Sequence, residues 1–290
     1  MTYRSIGVVG AGTMGQGIAQ MLAKNGLDVV LIDRTSELTQ RAVKQIEIAL
    51  DKQLEKWGIT ATEKKLILSR IHASDRLTDL AGCGMVIETI TEDLDLKKNL
   101  FRQLDGICPK EVILASNTST LSLTELANET EAPERVIGLH FLHPMADIDL
   151  VEIVRGLKTS EETFQITKRF VEETISATGV MVYESPGYVT SRLICVLINE
   201  ALHALEEGVA SAEDIDKAMR IGYDFRFGPL EMADRFGLDA VLAALERMFR
   251  EFGELKYRPS FLLKKMVRAG NLGVKTGEGF FKYDKDGDRL

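Results

Sequence analysis

The hydrophobic positions fall into short apolar runs set between longer amphipathic stretches. Residues 6–9 form an apolar run that ends at Gly10, the pattern of a strand buried on both faces of a parallel sheet. Thr13–Lys24 has helical spacing and stops at Asn25-Gly26. Residues 29–32 are a second apolar run, ending at Asp33. Together the three segments predict a βαβ unit with a right-handed crossover. Residues 36–70 are charged and helical in period, predicting two helices that project as a hairpin. Further strands are predicted at 85–90, 112–115, 136–139 and 150–154, with a helix at 121–127. Thr159 with Glu162 has the spacing of a capping box, for a helix running to about Gly179 and a last strand at 180–183.

Ser185-Pro186-Gly187 punctuates the chain, and the pattern after it is helical throughout. Residues 188–207 are apolar around most of the circumference, including Val189, Leu193, Val196 and Leu197. Such a helix is expected to be buried in its own domain or against a partner subunit. Shorter helices follow, broken at Gly208, Gly222, Pro229, Gly237 and Gly253. The expected fold is α/β: a Rossmann-type doubly wound sheet over residues 1–186, then an all-α domain over 187–290.

Composition narrows the function classes. The 290 residues are 45% hydrophobic and 28% charged, with a net charge of −8, so no general basic field invites nucleic acid. Cys83, Cys108 and Cys195 lie far apart and form neither a metal-ligand spacing nor a disulfide framework. The amino terminus lacks the zones of a signal peptide, and no apolar run approaches the ~18 residues of a spanning helix. A cytoplasmic protein without metal or membrane is expected.

Gly10-Ala11-Gly12-Thr13-Met14-Gly15 matches G-x-G-x-x-G between a predicted strand and a predicted helix. Gly10 allows the tight turn, Gly12 lets a pyrophosphate approach the backbone, and Gly15 brings helix and sheet together. The free amides and the helix dipole favour negative charge there. Asp33 is placed to accept from the adenosine ribose hydroxyls and to repel a 2′-phosphate, which favours NAD over NADP. Arg34 beside it is the feature that points the other way. The bland alternative is a glycine turn with no ligand.

Oxidation of an alcohol by NAD needs a base, and histidine suits neutral pH. His72 and His203 lie in charged or helical surroundings where surface or packing roles are expected. His140 ends a strand on the carboxyl edge of a parallel sheet, where ligands gather, and His143 follows just before Pro144. Glu152 is a carboxylate inside an apolar strand and needs a partner: a histidine that becomes cationic, Arg155, or backbone amides. The small polar cluster of Ser116, Asn117, Thr118, Ser119 and Thr120 either contacts nicotinamide or a substrate oxygen or caps the following helix.

The cofactor loop, Ala115 to Ser119, His140-Phe141, Leu150 to Gly156, Ser185-Pro186-Gly187, Gly228-Pro229-Leu230-Glu231, Lys256-Tyr257-Arg258-Pro259 and Leu272 to Phe280 together resemble the short-chain L-3-hydroxyacyl-CoA dehydrogenases, bacterial 3-hydroxybutyryl-CoA dehydrogenases above all. The resemblance runs through essentially the whole chain. It implies that His140 is the general base, that Glu152 orients it and stabilises its cation, and that Ser119 binds the substrate's 3-oxygen. It further implies NAD contacts at Glu92, Lys97, Asn117, Ser119 and Lys275, CoA contacts at Lys52 and Lys56, and a homodimer. Without it, Lys52 and Lys56 read as an ordinary solvated helix face. Two positions depart from the family: His143 and Ser191 stand where it has asparagines that serve the nicotinamide, substrate and active site. The resemblance implies reversible NAD-dependent oxidation of a short-chain (S)-3-hydroxyacyl-CoA. The departures keep open a CoA-free 3-hydroxy acid or alcohol as substrate. An NAD(H)-binding protein with little catalysis is the reading from a different class.

Overall fold

The computed structural model describes residues 5–142 and 149–290. His143 therefore lies outside the described residues. The chain divides into two compact units, Met1–Glu184 and Ser185–Leu290.

The first unit runs β1 (Ser5–Val9), α1 (Thr13–Lys24), β2 (Asp28–Ile32), α2 (Ser36–Glu55), α3 (Ala61–Ser69), β3 (Ile71–Ser74), β4 (Met85–Glu88), α4 (Leu94–Ile107), β5 (Ile113–Ser116), α5 (Leu123–Ala127), β6 (Val136–Phe141), β7 (Leu150–Arg155), α6 (Glu161–Arg169) and β8 (Thr178–Tyr183). The strands form one sheet in the order β3-β2-β1-β4-β5-β6-β7-β8, with every neighbouring pair parallel except β6 and β7. The chain moves outward from β1 to β3 and then returns to place β4 on the other side of β1. That reversal opens a crevice at the carboxyl ends of β1 and β4, where a doubly wound sheet binds its ligand. Helix α1 covers β1 and β2 with a stripe of Ile18, Ala19, Leu22 and Ala23, packed on Ile6, Val8, Val29 and Leu31. Helix α2 buries Thr39, Ala42, Ile46 and Leu50 into the same core, spaced three and four residues apart.

Several local expectations change. Residues 71–74 form an edge strand, so His72 belongs to β3 and is exposed. The cap of α6 is Ser160, whose hydroxyl accepts from Thr163 N at 3.0 Å. Thr159 instead donates to Val136 O at 2.6 Å, a tertiary bond that removes it from any capping box. Helix α6 gives way to a π-helical turn at Phe170–Thr174 and ends well before Gly179, so that β8 starts at Thr178.

The second unit is helical: α7 (Thr190–Glu206), α8 (Ala212–Gly222), α9 (Pro229–Phe236), α10 (Leu238–Phe252) and α11 (Phe261–Ala269). Its core joins Ile198, Leu202, Leu230, Leu245, Met248 and Leu263. Only a stripe of α7 is buried within the unit, while Leu193 remains 67% exposed.

Candidate active site

The glycine loop is fixed to the sheet at both ends. Gly10 N donates to Ile32 O at 2.7 Å, and Ala11 N donates to Asp33 Oδ2 at 2.7 Å, tying the turn to the end of β2. Thr89, just past β4, donates its hydroxyl to Gly10 O at 2.7 Å. The three glycines do different work. A Cβ at Gly15 would stand 1.7 Å from Gly10 O, and one at Gly10, where φ is +108°, would meet the Thr89 backbone at 2.7 Å. A Cβ at Gly12 would meet nothing within 4 Å, so this glycine borders open space. Gly12 is also the N-cap of α1, with no side-chain cap and no acidic residue in the first turn. Exposed Thr13 and half-buried Met14 begin that turn. The partial positive charge of the helix start thus faces open space, which fits a dinucleotide pyrophosphate. Asp33 Oδ1 accepts from Arg34 N at 2.7 Å, which holds the carboxylate at the sheet edge beside the loop.

Because β1, β4, β5 and β6 are parallel, Gly10, Glu88, Asn117 and His140 all reach the same carboxyl edge. A buried ion pair stiffens the middle of that edge. Glu88 is fully buried at the end of β4, and Lys97 on α4 is 1% exposed, with Nζ 2.5 Å from Glu88 Oε1. Glu88 also accepts from Ile90 N at 2.7 Å and from Ser116 Oγ at 2.6 Å. Burial pushes its carboxyl above the ordinary range, against the pull of the Lys97 ammonium and these bonds. Lys97 reaches Ile90 O at 3.2 Å and Glu92 Oε2 at 3.4 Å. Glu92 in turn accepts from the Thr118 hydroxyl and from the amides of Ser119 and Thr120, each at 3.2 Å. Glu92, Lys97 and Ser119 are therefore brought together, with Lys97 and Glu92 holding the turn that presents Ser119.

Glu88 and Thr89 carry as much of this edge as the residues singled out from sequence. Glu88 is signalled by the same feature as Glu152, a carboxylate inside an otherwise apolar strand.

Asn117 bridges two strands. Its amide donates to Glu88 O at 2.8 Å, and its side-chain oxygen accepts from Phe141 N at 2.9 Å, which continues the edge to the residue after His140. His140 and Glu152 are direct partners in the antiparallel pairing of β6 with β7. His140 Nδ1 lies 2.6 Å from Glu152 Oε2, with the Glu152 side chain fully buried and the ring 9% exposed. The carboxylate at Nδ1 fixes the orientation of the ring and favours its cationic form.

The remaining expected residues lie apart from this cluster in the sequence and in their elements. Lys52 and Lys56 are exposed at the carboxyl end of α2. In the second unit, Ser191 is half-buried in the first turn of α7, and Lys275 Nζ pairs with Asp239 Oδ2 at 2.6 Å. Among the described residues, no group of three or more His, Cys, Asp or Glu side chains is placed to hold a metal ion. No helix among them is long and apolar enough to cross a membrane.

A nucleotide-binding edge of this form joined to a histidine–carboxylate pair defines an NAD-binding dehydrogenase fold. Residues 5–185 match the family described as 3-hydroxyacyl-CoA dehydrogenase, NAD binding domain, and residues 187–283 match 3-hydroxyacyl-CoA dehydrogenase, C-terminal domain. The chain belongs to the 3-hydroxyacyl-CoA dehydrogenase family. It is 44% identical over 277 residues to the probable 3-hydroxybutyryl-CoA dehydrogenase of Deinococcus radiodurans, covering 96% of this chain and 99% of that protein. A solved (S)-3-hydroxybutyryl-CoA dehydrogenase from Ralstonia eutropha is 43% identical, with a TM-score of 0.91 over 98% of this chain and 100% of that one. The structure of FadB2 from M. tuberculosis is 35% identical and superposes with a TM-score of 0.96, again over 98% of this chain and all of that one.

Proposed function

We propose that the protein catalyses the reversible oxidation of a short-chain (S)-3-hydroxyacyl-CoA, such as 3-hydroxybutyryl-CoA, to the 3-oxoacyl-CoA with NAD. The observation that carries this reading is the His140–Glu152 pair at the carboxyl edge of a sheet whose glycine loop suits a dinucleotide. When bound, NAD supplies the hydride acceptor. His140 Nε2 takes the proton of the C3 hydroxyl as hydride leaves C3, so that C3 becomes a carbonyl and both electrons depart with the hydride. Glu152 holds the ring through Nδ1 and stabilises the imidazolium that results. Ser119, presented by the turn that Glu92 holds, donates to the 3-oxygen. Gly12 to Gly15 take the pyrophosphate and Asp33 the adenosine ribose, with Asn117, His143 and Lys275 as further contacts to cofactor, and His143 and Ser191 to substrate. Lys52 and Lys56 bind phosphates of CoA.

We further place the protein in the cytoplasm, in keeping with three cysteines that are all free and buried. We also infer a homodimer through the second unit, where Leu193 and Val189 on and beside α7 are 67% and 44% exposed. Sedimentation as a monomer would overturn the dimer. The activity is tested by NADH oxidation with acetoacetyl-CoA, longer 3-oxoacyl-CoAs and free acetoacetate. Turnover of the CoA thioesters alone supports the reading. Turnover of acetoacetate at equal efficiency replaces it with the CoA-free substrate, and NADH binding without turnover replaces it with a non-catalytic role.

A further inference from the structure

Helix α2 ends in a way its sequence makes unfavourable. Trp57 N donates to Leu54 O at 3.0 Å and Gly58 N donates to Gln53 O at 2.9 Å, the paired bonds of a Schellman closure. That motif needs a left-handed residue just past the helix, a place usually filled by glycine. Here it is filled by Trp57 at φ +58°, while Gly58 sits one position later and is not in the left-handed region. A bulky residue in that conformation is strained. Nothing in the packing compensates, because Trp57 is 94% exposed. The turn itself is firm on its far side, where Ile59 is buried and Thr60 forms a capping box with Glu63 at the start of α3.

The surroundings indicate what such a ring serves. Lys52 in the last turn of α2 and Lys56 at its C-cap are exposed and four residues apart, and Lys56 immediately precedes Trp57. An exposed aromatic ring close along the chain to two exposed lysines has the chemistry of a purine nucleotide site: the ring can stack on the base and the lysines can meet the phosphates. The adenosine of NAD is not the candidate. It belongs at Asp33, just before the start of α2, and the 20 residues of the helix separate that end from Trp57 by about 30 Å. An acyl-CoA carries its adenine nucleotide at the end of the pantetheine arm, remote from the reacting carbon, and so presents a base and phosphates away from the nicotinamide site.

We propose that Trp57 is the stacking platform for the adenine base of the CoA substrate, a proposal that rests on the acyl-CoA reading above. Trp57 holds the base, Lys52 and Lys56 take the phosphates, and the chemistry at His140 is untouched by the ring.

The chain has one tryptophan, so its emission reports on this site alone. Adenosine 3′,5′-bisphosphate, the nucleotide end of CoA, is expected to quench that emission, while pantetheine is not. Trp57→Ala is expected to raise KM for acetoacetyl-CoA by about 5-fold or more, the equivalent of ~1 kcal/mol of base stacking. It should leave kcat, NADH affinity and KM for acetoacetyl-pantetheine unchanged, and Trp57→Phe should recover most of the loss. Trp57→Gly gives a control for folding: it relieves the left-handed strain, so its Tm should rise while its KM for acetoacetyl-CoA rises too. Normal turnover of acetoacetyl-CoA with an unchanged KM in Trp57→Ala would overturn the stacking proposal and leave the substrate reading standing, and so would an equal rise in KM for both thioesters. Absence of both quenching and turnover with CoA compounds would overturn both, and ring-dependent self-association in place of quenching would assign Trp57 to contact with a second copy instead.

Discussion

Glu152 stands directly opposite His140 across the antiparallel pairing of β6 and β7, and its carboxylate meets Nδ1 of the ring at 2.6 Å. This one antiparallel pair in an otherwise parallel sheet is what makes the contact. Side chains alternate faces along a strand, so a one-residue slip of β7 would turn Glu152 to the other face. The register is held by Leu139 opposite Ile153 and Phe141 opposite Val151, all buried. Fold and the geometry of the pair are thus set by the same ladder.

His140→Ala is expected to lower kcat about 100- to 10,000-fold, the usual contribution of a positioned acid–base group, with NADH affinity nearly unchanged. Glu152→Gln keeps an acceptor near Nδ1 but no longer stabilises the imidazolium, so kcat should fall about 10-fold or more. Near-normal turnover in His140→Ala would remove the histidine from the reaction.

The buried pair of Glu88 and Lys97 gives a stability test. Removing Lys97 leaves Glu88 buried without its counter-charge, which typically costs about 3–5 kcal/mol, whereas Lys97 without Glu88 still meets Glu92 at 3.4 Å. Lys97→Met should sit at the lower end, because Glu88 is already inclined to take a proton. Glu88→Gln keeps its oxygen as acceptor for Ile90 N and turns its NH2 to Ser116 Oγ, whose hydroxyl can rotate to accept, so the double variant should regain at least half of the stability lost in Lys97→Met. Urea denaturation of the four proteins measures the cycle, and purely additive losses would show that the two side chains are not coupled.

The sequence pattern exposes the central strands because they are buried on both faces and their residues run apolar without interruption. It fails at the edge: in β3 only Ile71 is buried, and His72 and Ala73 face solvent, leaving no run to detect. At α6, Thr159 and Ser160 are both residues that cap helices. The choice between them falls to Val136 O, a tertiary partner that engages Thr159. The glycine loop and the His140–Glu152 pair are legible because each rests on local chemistry with few alternatives. The Glu88–Lys97 pair is less so, since Lys97 lies in a charged helix and its burial depends on a strand nine residues earlier. The left-handed turn at Trp57 is not legible in the sequence, because nothing in residues 36–70 marks a tryptophan for that conformation and only the backbone shows it.

The three glycines of the cofactor loop should separate folding from binding. Gly15→Ala forces a carbon onto Gly10 O and is expected to destabilise or unfold the protein. Gly12→Ala adds a methyl group into open space at a φ of −73°, which alanine tolerates, so stability should hold. The methyl group then occupies the approach of the pyrophosphate, and NADH affinity should drop about 10-fold or more. Calorimetry with NADH on folded Gly12→Ala decides it, and unchanged affinity would place the dinucleotide elsewhere.

In the second unit, Asp234 ties down the segment that follows Lys275. It is fully buried and accepts from Phe280 N and Phe281 N at 2.9 Å and from Tyr283 OH at 3.0 Å. Burial pushes its carboxyl from 3.8 up to about 6, with those donors pulling the other way. A folded value above the unfolded one means that the folded state holds the proton more tightly. The associated stability is complete below the unfolded value and is lost as pH rises through about 6. Wild type should therefore lose about 2 kcal/mol relative to Asp234→Asn between about pH 4.5 and pH 7. Buried carboxyls remote from Asp234 are common to both proteins and cancel in the difference, whereas the Asp216 carboxylate is one of the groups that raise Asp234. Urea midpoints across that range measure it. A constant gap would mean that the three donors keep Asp234 ionised throughout, and the segment after Lys275 would then be held by a charged anchor at every working pH.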